Sequence, residues 1–243
     1  MIYLFSDYSI TDPYVGLMKN AIHQIAPDCK LLDVCHDLPV FNPQASSRLL
    51  QKLVLDIPEG SIILAVVDPG VGTDRLPLWL ELDGRYFVGP DNGLFARIIN
   101  QAKTVSAHMI EYDIKAVSAS FHGRDIFAPA AAHLECGMKV ASFPVKPENL
   151  VGKEWRDDLS EIIYIDHYGN AMTGIEAKDV SQQQSLKVNE LDVSFARTFD
   201  NELKDKPFWY ANSLGLIEVA QSKASVAELY QINIGDKVRL ESP

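Results

Sequence analysis

The sequence predicts an α/β protein of two domains. In the first half, short apolar runs alternate with amphipathic stretches, as in β-α-β units that cover a parallel sheet with helices. From Phe143 to Asp158 the chain is rich in Pro, Lys and Asp and has no clear period, which marks a linker. Beyond it the apolar runs are short and separated by turns. We therefore predict a Rossmann-like N-terminal α/β domain over residues 1–147 and a smaller C-terminal β-barrel-like domain over residues 148–243.

The core of the first domain is predicted by one apolar run and one turn. Ser61–Val67 is β-branched and continuously apolar, which is typical of a strand buried on both faces. Asp83-Gly84 is a turn pair favoured in two-residue hairpins, and it separates the strands Leu76–Leu82 and Arg85–Val88. The other predicted elements, in chain order, are a strand at Ile2–Phe5, a helix at Asp12–Ala26, a strand at Lys30–Val34, a helix from Pro43 to about Asp56, a helix at Asn92–Gln101, a strand at Thr104–Glu111 and a helix at Arg124–Cys136.

The second domain is predicted to contain strands only. Each run has three to five residues, and turn-forming residues separate it from the next. This pattern is typical of small sheets and barrels. The predicted strands are Ile162–Ile165, Leu186–Val188, Val193–Ala196, Phe208–Ala211, Leu216–Ala220 and Lys237–Leu240.

Composition and charge narrow the functional class. Hydrophobic residues make up 47% of the chain, which is ample for a buried core. The net charge of −11 disfavours nucleic acid as a partner and suits a cationic small molecule better. The N-terminus lacks the basic lead of a signal peptide, and no apolar run approaches membrane-spanning length. We therefore expect a cytoplasmic protein with no membrane partner, whose three cysteines are reduced thiols.

The first candidate site follows the predicted buried strand. That strand ends in VVDPGVGTDR, which delivers the carboxylate of Asp68 to the carboxyl edge of the sheet and follows it with a glycine-rich turn and Arg75. Ligands of open α/β sheets bind at this edge. The alternative is an ordinary strand-to-loop junction with a turn-forming Asp and a surface Arg, which is the favoured interpretation for an isolated DPG. The turn has neither GxGxxG nor Walker A spacing.

A histidine and several polar clusters are further candidates. His122, in FHGRD, precedes a predicted helix and gains a functional interpretation if the fold brings it beside Asp68, since a carboxylate can orient and charge an imidazole. A lone histidine is more often structural. Four other clusters are either ligand-binding or simply turns: Ser6-Asp7-Tyr8, Gly89-Pro90-Asp91-Asn92-Gly93, Asp166-His167-Tyr168-Gly169-Asn170 and Asn212-Ser213-Leu214-Gly215.

A metal site is considered and disfavoured. Asp33-Val34-Cys35-His36-Asp37 contains metal-ligating side chains, but adjacent ligands on a strand point to opposite faces. No HxxxH or CxxC spacing supports a metal. We expect neither a metal nor another cofactor.

Taken together and in order, the polar segments resemble the S-adenosylmethionine (SAM) hydroxide adenosyltransferase family, whose relatives are the SAM-dependent fluorinase and chlorinase. The resemblance spans nearly the whole chain and rests on FSDYSITDPYVGLMKN, LLDVCHDLP, VVDPGVGTDR, GPDNGL, SFHGRDIFAPAAAHL, IDHYGN and NSLG. It implies an N-terminal α/β domain, a β-barrel-like C-terminal domain, and a homotrimer with SAM held between the N-terminal domain of one subunit and the C-terminal domain of the next.

The resemblance also implies an activity and its residues. The activity is hydrolysis of SAM, as substrate rather than cofactor, to adenosine and methionine by water attack on the ribose 5′ carbon. Asp68, Arg75 and His122 correspond to the hydroxide-type catalytic triad. The implied substrate contacts are Asp7 to the ribose hydroxyls, Phe41 near the nucleoside, Asp166 and Asn170 to the methionine amino and carboxylate groups, and Ser213 to the methionine end.

Three alternatives stay open. A halogenase of the same family is disfavoured, because halogenases carry a tyrosine at the position of Asp68 and a serine at that of Gly123. A non-catalytic SAM or adenosine binder would need Asp7, Asp166 and Asn170 but not the triad. A metal-dependent hydrolase would be inhibited by chelators. Smaller departures from the family pattern affect the adenine and methionine contacts; they are Ser6, Tyr8-Ser9 and Leu214.

Overall fold

The computed structural model describes residues 1–198 and 205–241 and divides into two compact units, Met1–Trp155 and Arg156–Pro243. The sequence-based boundary between residues 147 and 148 lies before this division. The segment between them stays with the first unit because the Trp155 ring packs on Gly93 and the Val151 N–H donates to the Asp91 carboxylate over 3.0 Å. No helix within the described ranges is both long and apolar enough to span a membrane.

The N-terminal unit is a seven-stranded sheet with helices packed on it, so the α/β prediction is confirmed at this level. Before α4 the chain makes one π-helical turn at Gly123–Phe127. The elements are β1 Ile2–Ser6, α1 Pro13–Ile25, β2 Leu31–Cys35, α2 Pro43–Leu53, β3 Ile62–Val66, β4 Pro77–Leu82, β5 Arg85–Pro90, α3 Ala96–Gln101, β6 Val105–Ile110, α4 Ala128–Glu135 and β7 Ser142–Pro144.

The sheet is mixed, whereas the sequence predicted a parallel one. Its order is β2-β1-β3-β5-β4-β6-β7. The first four strands are mutually parallel, and β4 runs antiparallel to both β5 and β6. The reason is the Asp83-Gly84 hairpin, which reverses the chain between β4 and β5. Asp83 and Gly84 both have positive φ, as this turn requires.

The strand order creates a crevice at one edge of the sheet. The chain leaves β1 for β2 on one side and then crosses to β3 on the other side of β1. Right-handed crossovers therefore put α1 and α2 on opposite faces, and the carboxyl ends of β1 and β3 form a topological switch point. Asp7 follows β1 directly, and Asp68 lies two residues after Val66, the end of β3.

Three predicted helices have different bounds in the structure. The helix predicted to run to about Asp56 ends at Leu53. The one predicted from Asn92 begins at Ala96, since the Asn92 side chain donates to Val67 O over 2.8 Å and holds the preceding residues in a turn. The helix predicted at Arg124–Cys136 begins as the π turn, and Pro129, in the first turn of α4, has no N–H to donate.

The C-terminal unit is a second seven-stranded sheet that nearly closes on itself. Its order is β14-β10-β11-β12-β13-β9-β8, antiparallel except between β11 and β12. Glu161 of β8 forms a bridge with Lys237, next to β14, so the two edge strands meet. The elements are β8 Leu159–Ile165, β9 Ala171–Glu176, β10 Ser185–Val188, β11 Leu191–Phe195, β12 Pro207–Ala211, β13 Leu216–Gln221, α5 Val226–Tyr230 and β14 Val238–Glu241.

Strand β9 lies inside this sheet although its sequence, AMTGIE, did not predict a strand. Ala and Gly have low β propensity, and all but the last of its residues are buried, so no alternation is visible. One of these weak strand formers, Gly174, is required by a close backbone contact. A Cβ on Gly174 would lie 2.4 Å from the Leu159 carbonyl oxygen of β8. The backbones of β8 and β9 thus approach each other too closely for any side chain at this position.

We predict that Gly174→Ala destabilises the protein by about 1–3 kcal/mol, because a methyl group there forces the two strands apart. The matched control is Gly16→Ala in α1, where a Cβ meets nothing within 4 Å and alanine favours the helix by about 0.5–1 kcal/mol. Denaturant unfolding of both variants measures the difference. Equal stabilities for the two variants would contradict the close approach.

Candidate functional site

Arg75 joins the two other residues of the predicted triad. Its Nε donates to Asp68 Oδ1 and Oδ2 over 2.9 and 3.1 Å, and its Nη2 donates to Asp68 Oδ2 as well. The same Nη2 donates to His122 Nδ1 over 2.9 Å. The side chains of Asp68 and Arg75 are only 4% and 8% exposed. The structure thus brings the three residues together, with the guanidinium between the carboxylate and the imidazole.

This arrangement fixes the state of His122. An arginine only donates hydrogen bonds, so Nδ1 carries no proton and the neutral ring carries its proton on Nε2. Burial of the imidazole, followed by the nearby Arg75 cation, lowers the pKa of His122, although Asp68 and Asp125 act in the opposite direction. His122 is therefore neutral at pH 7.

The local sequence explains how the cluster forms. After Asp68 the chain makes two tight turns, in which Val71 N donates to Asp68 O and Thr73 N donates to Gly70 O. Gly72 has a φ of 77°, and a Cβ there would lie 2.6 Å from the Ala119 carbonyl oxygen. The glycine-rich turn is therefore needed to return the chain so that Arg75 faces the residue at the end of β3. His122 lies at the start of the π turn.

A cavity of about 530 Å³, here called the front cavity, lies at the switch point. Asp7 and Asp68 both line it, as the strand order requires. Burial is the main cause that raises the pKa of Asp7; the Asp68 carboxylate raises it further, and the hydrogen bond from Phe41 N lowers it. Its other lining residues are Tyr8, Ser9, Asp12, Tyr14, Val40, Phe41, Val71 and Ser120.

Phe41 lies at the mouth of the front cavity with an exposed ring. The residue is 75% exposed and has a φ of 55°, a conformation that is uncommon for a bulky residue. Its N–H donates to Asp7 Oδ2 over 3.2 Å. The carboxylate of Asp7 thus holds the strained Phe41 backbone as well as lining the cavity.

The segment considered as a metal site forms a hydrogen-bond chain instead. His36 Nδ1 bonds to the buried Ser6 hydroxyl over 2.7 Å, and His36 Nε2 bonds to Asp33 Oδ1 over 2.9 Å. Asp33 in turn pairs with Lys19. Within the described residues no group of three or more His, Cys, Asp or Glu side chains is placed to hold a metal ion. This series of hydrogen bonds stabilises the end of β1, where Ser9 N also donates to His36 O over 2.7 Å.

The C-terminal unit has its own cavity, of about 700 Å³, lined by both Asp166 and Asn170. The segment from Asp166 to Asn170 also forms a turn, which was the alternative interpretation of its sequence. Asp166 Oδ1 accepts from Tyr168 N and Asn170 N over 2.9 and 2.8 Å, and Oδ2 accepts from Asn170 Nδ2 over 2.9 Å. Asp166 therefore shapes the loop that presents its neighbours to the cavity.

Ser213 is not among the residues that line the C-terminal cavity. It is exposed in the turn between β12 and β13, whereas Asp166 and Asn170 line the C-terminal cavity. The adjoining Asn212 organises this turn by accepting from Leu214 N and Leu216 N, both over 3.0 Å. Ser213 thus has a turn position at the rim of the sheet.

Tyr168 and Tyr210 line the C-terminal cavity, although the sequence analysis assigned no substrate contact to either residue. Tyr168 is 76% exposed and lines the C-terminal cavity, as does Tyr210, whose hydroxyl bonds to Glu218. A role for Tyr168 could be predicted from the sequence, since an aromatic residue inside a polar turn has no apolar core to pack against. Tyr210 lies in an apolar strand, so nothing in the sequence distinguishes it from a packing residue.

These features define a class: an α/β protein with a second β unit, whose carboxyl sheet edge carries a buried Asp–Arg–His cluster beside a cavity of about 530 Å³. Residues 2–144 match the SAM hydroxide adenosyltransferase N-terminal domain, and residues 160–239 match the SAM hydroxide adenosyltransferase C-terminal domain. The chain belongs to this family.

Individual relatives cover nearly the whole chain. The (R)-S-adenosyl-L-methionine hydrolase of Thermus thermophilus is 35% identical, over 98% of both chains. A fluorinase of Nocardia brasiliensis is 22% identical, over 99% of this chain and 96% of its own. The crystal structure of an uncharacterized conserved protein from Thermotoga maritima matches with a TM-score of 0.87 and 26% identity, covering 100% of both chains.

Proposed function

We propose that the chain hydrolyses SAM to adenosine and methionine by attack of water on the ribose 5′ carbon. The observation that carries this proposal is the Arg75 guanidinium held between Asp68 and His122, with Asp68 lining the same cavity as Asp7. The hydrolase name of a relative that covers 98% of the chain supports the same reaction. In this proposal the N-terminal unit uses its switch point as Rossmann-like folds do, with the nucleoside in the crevice.

The chemistry needs a base but no acid. When water attacks, an O–C5′ bond forms and the C5′–S bond breaks, and its electron pair leaves on sulfur as a neutral thioether. The proton lost by the water must be accepted. Asp68 is the acceptor in our proposal, because the Nδ1 lone pair of His122 is occupied by Arg75 and its Nε2 already carries a proton. His122 and Arg75 then orient the water and stabilise its developing negative charge.

The space around Gly123 favours hydrolysis over halogenation. A Cβ on Gly123 would lie 2.8 Å from the Tyr8 hydroxyl and 3.2 Å from Met18 Sδ. A serine side chain, as expected at this position in a halogenase, therefore does not fit while Tyr8 holds its place. Asp68, where a halogenase is expected to carry tyrosine, forms a buried ion pair with Arg75. A purely SAM-binding protein would have no use for this buried ion pair, whose two charges must be desolvated.

The substrate contacts are divided between the two units in this proposal. Asp7 accepts from the ribose hydroxyls, and the exposed Phe41 ring packs near the nucleoside. Asp166 and Asn170 contact the methionine amino and carboxylate groups, and Ser213 contributes at the methionine end. SAM is the substrate, and no metal or other cofactor takes part. We further propose a cytoplasmic protein that works without nucleic acid or membrane partners.

One experiment tests the reaction and the substrate configuration together. The hydrolase relative carries the descriptor (R), so both sulfonium epimers of SAM are incubated with the protein in oxygen-18 water. We expect label in the adenosine 5′-hydroxyl and a faster reaction with the (R) epimer. Release of unlabelled adenosine, or halide-dependent formation of a 5′-haloadenosine, would overturn the proposal.

We predict that Asp68→Asn lowers kcat by about a hundredfold or more, because the proton acceptor and the charge that holds Arg75 are both lost. SAM affinity, measured by calorimetry, stays within a few-fold of the native value. Asp56→Asn, at an exposed position after α2, is the matched control and keeps native activity. A native kcat in Asp68→Asn would rule out the mechanism, and His122→Ala should show a loss of similar size.

We predict that Asp7→Ala raises KM for SAM by about tenfold or more and changes kcat little, since two charge-assisted hydrogen bonds are worth roughly 1.5–3 kcal/mol each in both ground and transition states. Because Asp7 also holds Phe41 N, Asp7→Asn serves as control: it keeps an acceptor for that N–H but loses the charge. A lower melting temperature with native KM in Asp7→Ala would refute the ribose contact.

We propose that the active protein is a homotrimer, with sites formed between the N-terminal unit of one subunit and the C-terminal unit of the next. The exposed rings of Phe41 and Tyr168 support an assembled site, since both lie beside cavities and lack cover within their own units. Light scattering on an active sample should give a mass of three chains. Activity at the mass of one 27.0 kDa chain would contradict this assembly.

A further inference from the structure

A separate cavity of about 250 Å³ lies at the edge of the N-terminal sheet where β5 begins, and it is here called the amino-edge cavity. Because β5 is parallel to β3, this edge is opposite to the one that carries Asp68 and the front cavity. The hairpin between β4 and β5 forms one side of the cavity, and the ends of α2 and α3 form the other. Leu82, Arg85 and Phe87 face it from the sheet, since Leu82 pairs with Arg85 and Phe87 follows two residues later.

The amino-edge cavity holds two opposite charges that do not pair with each other. Asp83 and Arg85 both line it, but neither a hydrogen bond nor a salt bridge joins them in the described part of the chain. The Asp83 carboxylate accepts instead from Lys103 N and Thr104 N over 3.0 and 2.8 Å. Arg85 Nε donates to Ile57 O over 2.6 Å, which leaves both Nη groups of the guanidinium for another acceptor. Opposite charges that are held apart in one small cavity suit a ligand that itself carries both charges.

Gln51 adds a buried donor at the same cavity. The residue is only 3% exposed, and its Oε1 accepts from Arg48 Nη1 over 2.6 Å, which fixes the orientation of the amide. Its Nε2 is buried and has no hydrogen-bond partner among the residues that the structure describes. A buried N–H group without an acceptor is costly, so we expect an acceptor from outside the chain to bind it. Gln51 and Arg85 together provide the donors that a carboxylate needs.

The helix ends provide the opposite polarity. The C-caps of α2 and α3 are Val54 and Ala102, and both line the amino-edge cavity. The last carbonyl groups of a helix have no partners within the helix, and the helix dipole favours a cation near them. The Asp83 carboxylate adds to this effect. A ligand ammonium group is therefore stabilised at the side of the cavity where the helices end.

The size and the remaining lining of the cavity restrict the ligand further. Its volume of about 250 Å³ is below the roughly 300–1,000 Å³ of pockets for drug-sized molecules, so the ligand is small. Apolar side chains, among them Leu55, Leu82 and Ile98, cover the wall between the charged groups. A small molecule with a carboxylate, an ammonium group and an apolar side chain has the chemistry of an apolar α-amino acid.

We propose that the amino-edge cavity binds an apolar α-amino acid. Its carboxylate accepts from Arg85 and Gln51, its ammonium group faces Asp83 and the helix ends, and its side chain packs on the apolar wall. The inference goes beyond the proposed hydrolysis and does not depend on it, although that reaction would release one such amino acid, methionine.

Binding of L-leucine, measured by calorimetry, tests the site, since leucine is not a reactant of the proposed hydrolysis. Gln51→Glu keeps an acceptor for Arg48 and replaces the Nε2 donor by a carboxylate oxygen. We expect it to weaken leucine binding by about tenfold or more, because repulsion replaces a hydrogen bond to the ligand carboxylate. Arg85→Gln should cause a loss of similar size. The matched control is Arg156→Gln, at a side chain that is 85% exposed, and it should keep native affinity.

A third variant separates this site from the proposed methionine contacts of the C-terminal unit. Asp166→Ala should bind leucine with native affinity. Loss of binding in Asp166→Ala together with native affinity in Gln51→Glu and Arg85→Gln would overturn the proposal. A native protein that binds no leucine at millimolar concentration would overturn it as well. If one of the two cavity variants melts early, the other decides the result.

The charged groups of the ligand are tested on the native protein alone. Isocaproate is leucine without its amino group, and isopentylamine is leucine without its carboxylate. We expect both to bind at least about tenfold more weakly than leucine, since each loses one set of charge-assisted hydrogen bonds. Equal affinity for leucine and either analogue would contradict the α-amino acid as the ligand.

Discussion

The site depends on one interaction, the guanidinium of Arg75 shared between the Asp68 carboxylate and the His122 imidazole. A buried cation needs compensation, and Asp68 supplies it. The guanidinium then fixes the tautomer of His122, and burial together with this cation lowers the pKa of the imidazole. Two structural devices serve this contact: the glycine-rich turn that folds Arg75 back on the end of β3, and the π turn that begins at His122. Without the turn at Gly72, Arg75 would not face Asp68, and neither the ion pair nor the tautomer of His122 would be fixed.

The sequence could predict where Asp7 and Asp68 lie, since both follow apolar runs that become β1 and β3. Parallel strands bring their carboxyl ends to one edge, and the strand order makes that edge a switch point. It could not predict that Arg75 separates Asp68 from His122, since that contact depends on a π turn and on a loop reaching back 47 residues. Nor could it predict the Ser6–His36 hydrogen bond, which connects the last residue of β1 to the residue after β2 through buried side chains.

The errors about the fold have physical causes as well. A hairpin signal at Asp83-Gly84 was read correctly, but its consequence, a mixed sheet, follows only when β4 is placed between β5 and β6. Strand β9 has no strand signal because Gly174 is selected by the close approach of Leu159, a tertiary constraint that overrides β propensity. In the C-terminal unit, Asp166 and Asn170 fit both interpretations of their sequence, since the residues that shape the turn also line a cavity.

The charge of the front cavity matches that of the proposed substrate. The front cavity is lined by the carboxylates of Asp7, Asp12 and Asp68, which suit the positive charge of a sulfonium. The net charge of the chain carries no such information, because it sums over surface groups. Asp68 is the exception among these three carboxylates, because Arg75 compensates its charge in a buried ion pair, so its removal affects the reaction more than the binding of SAM.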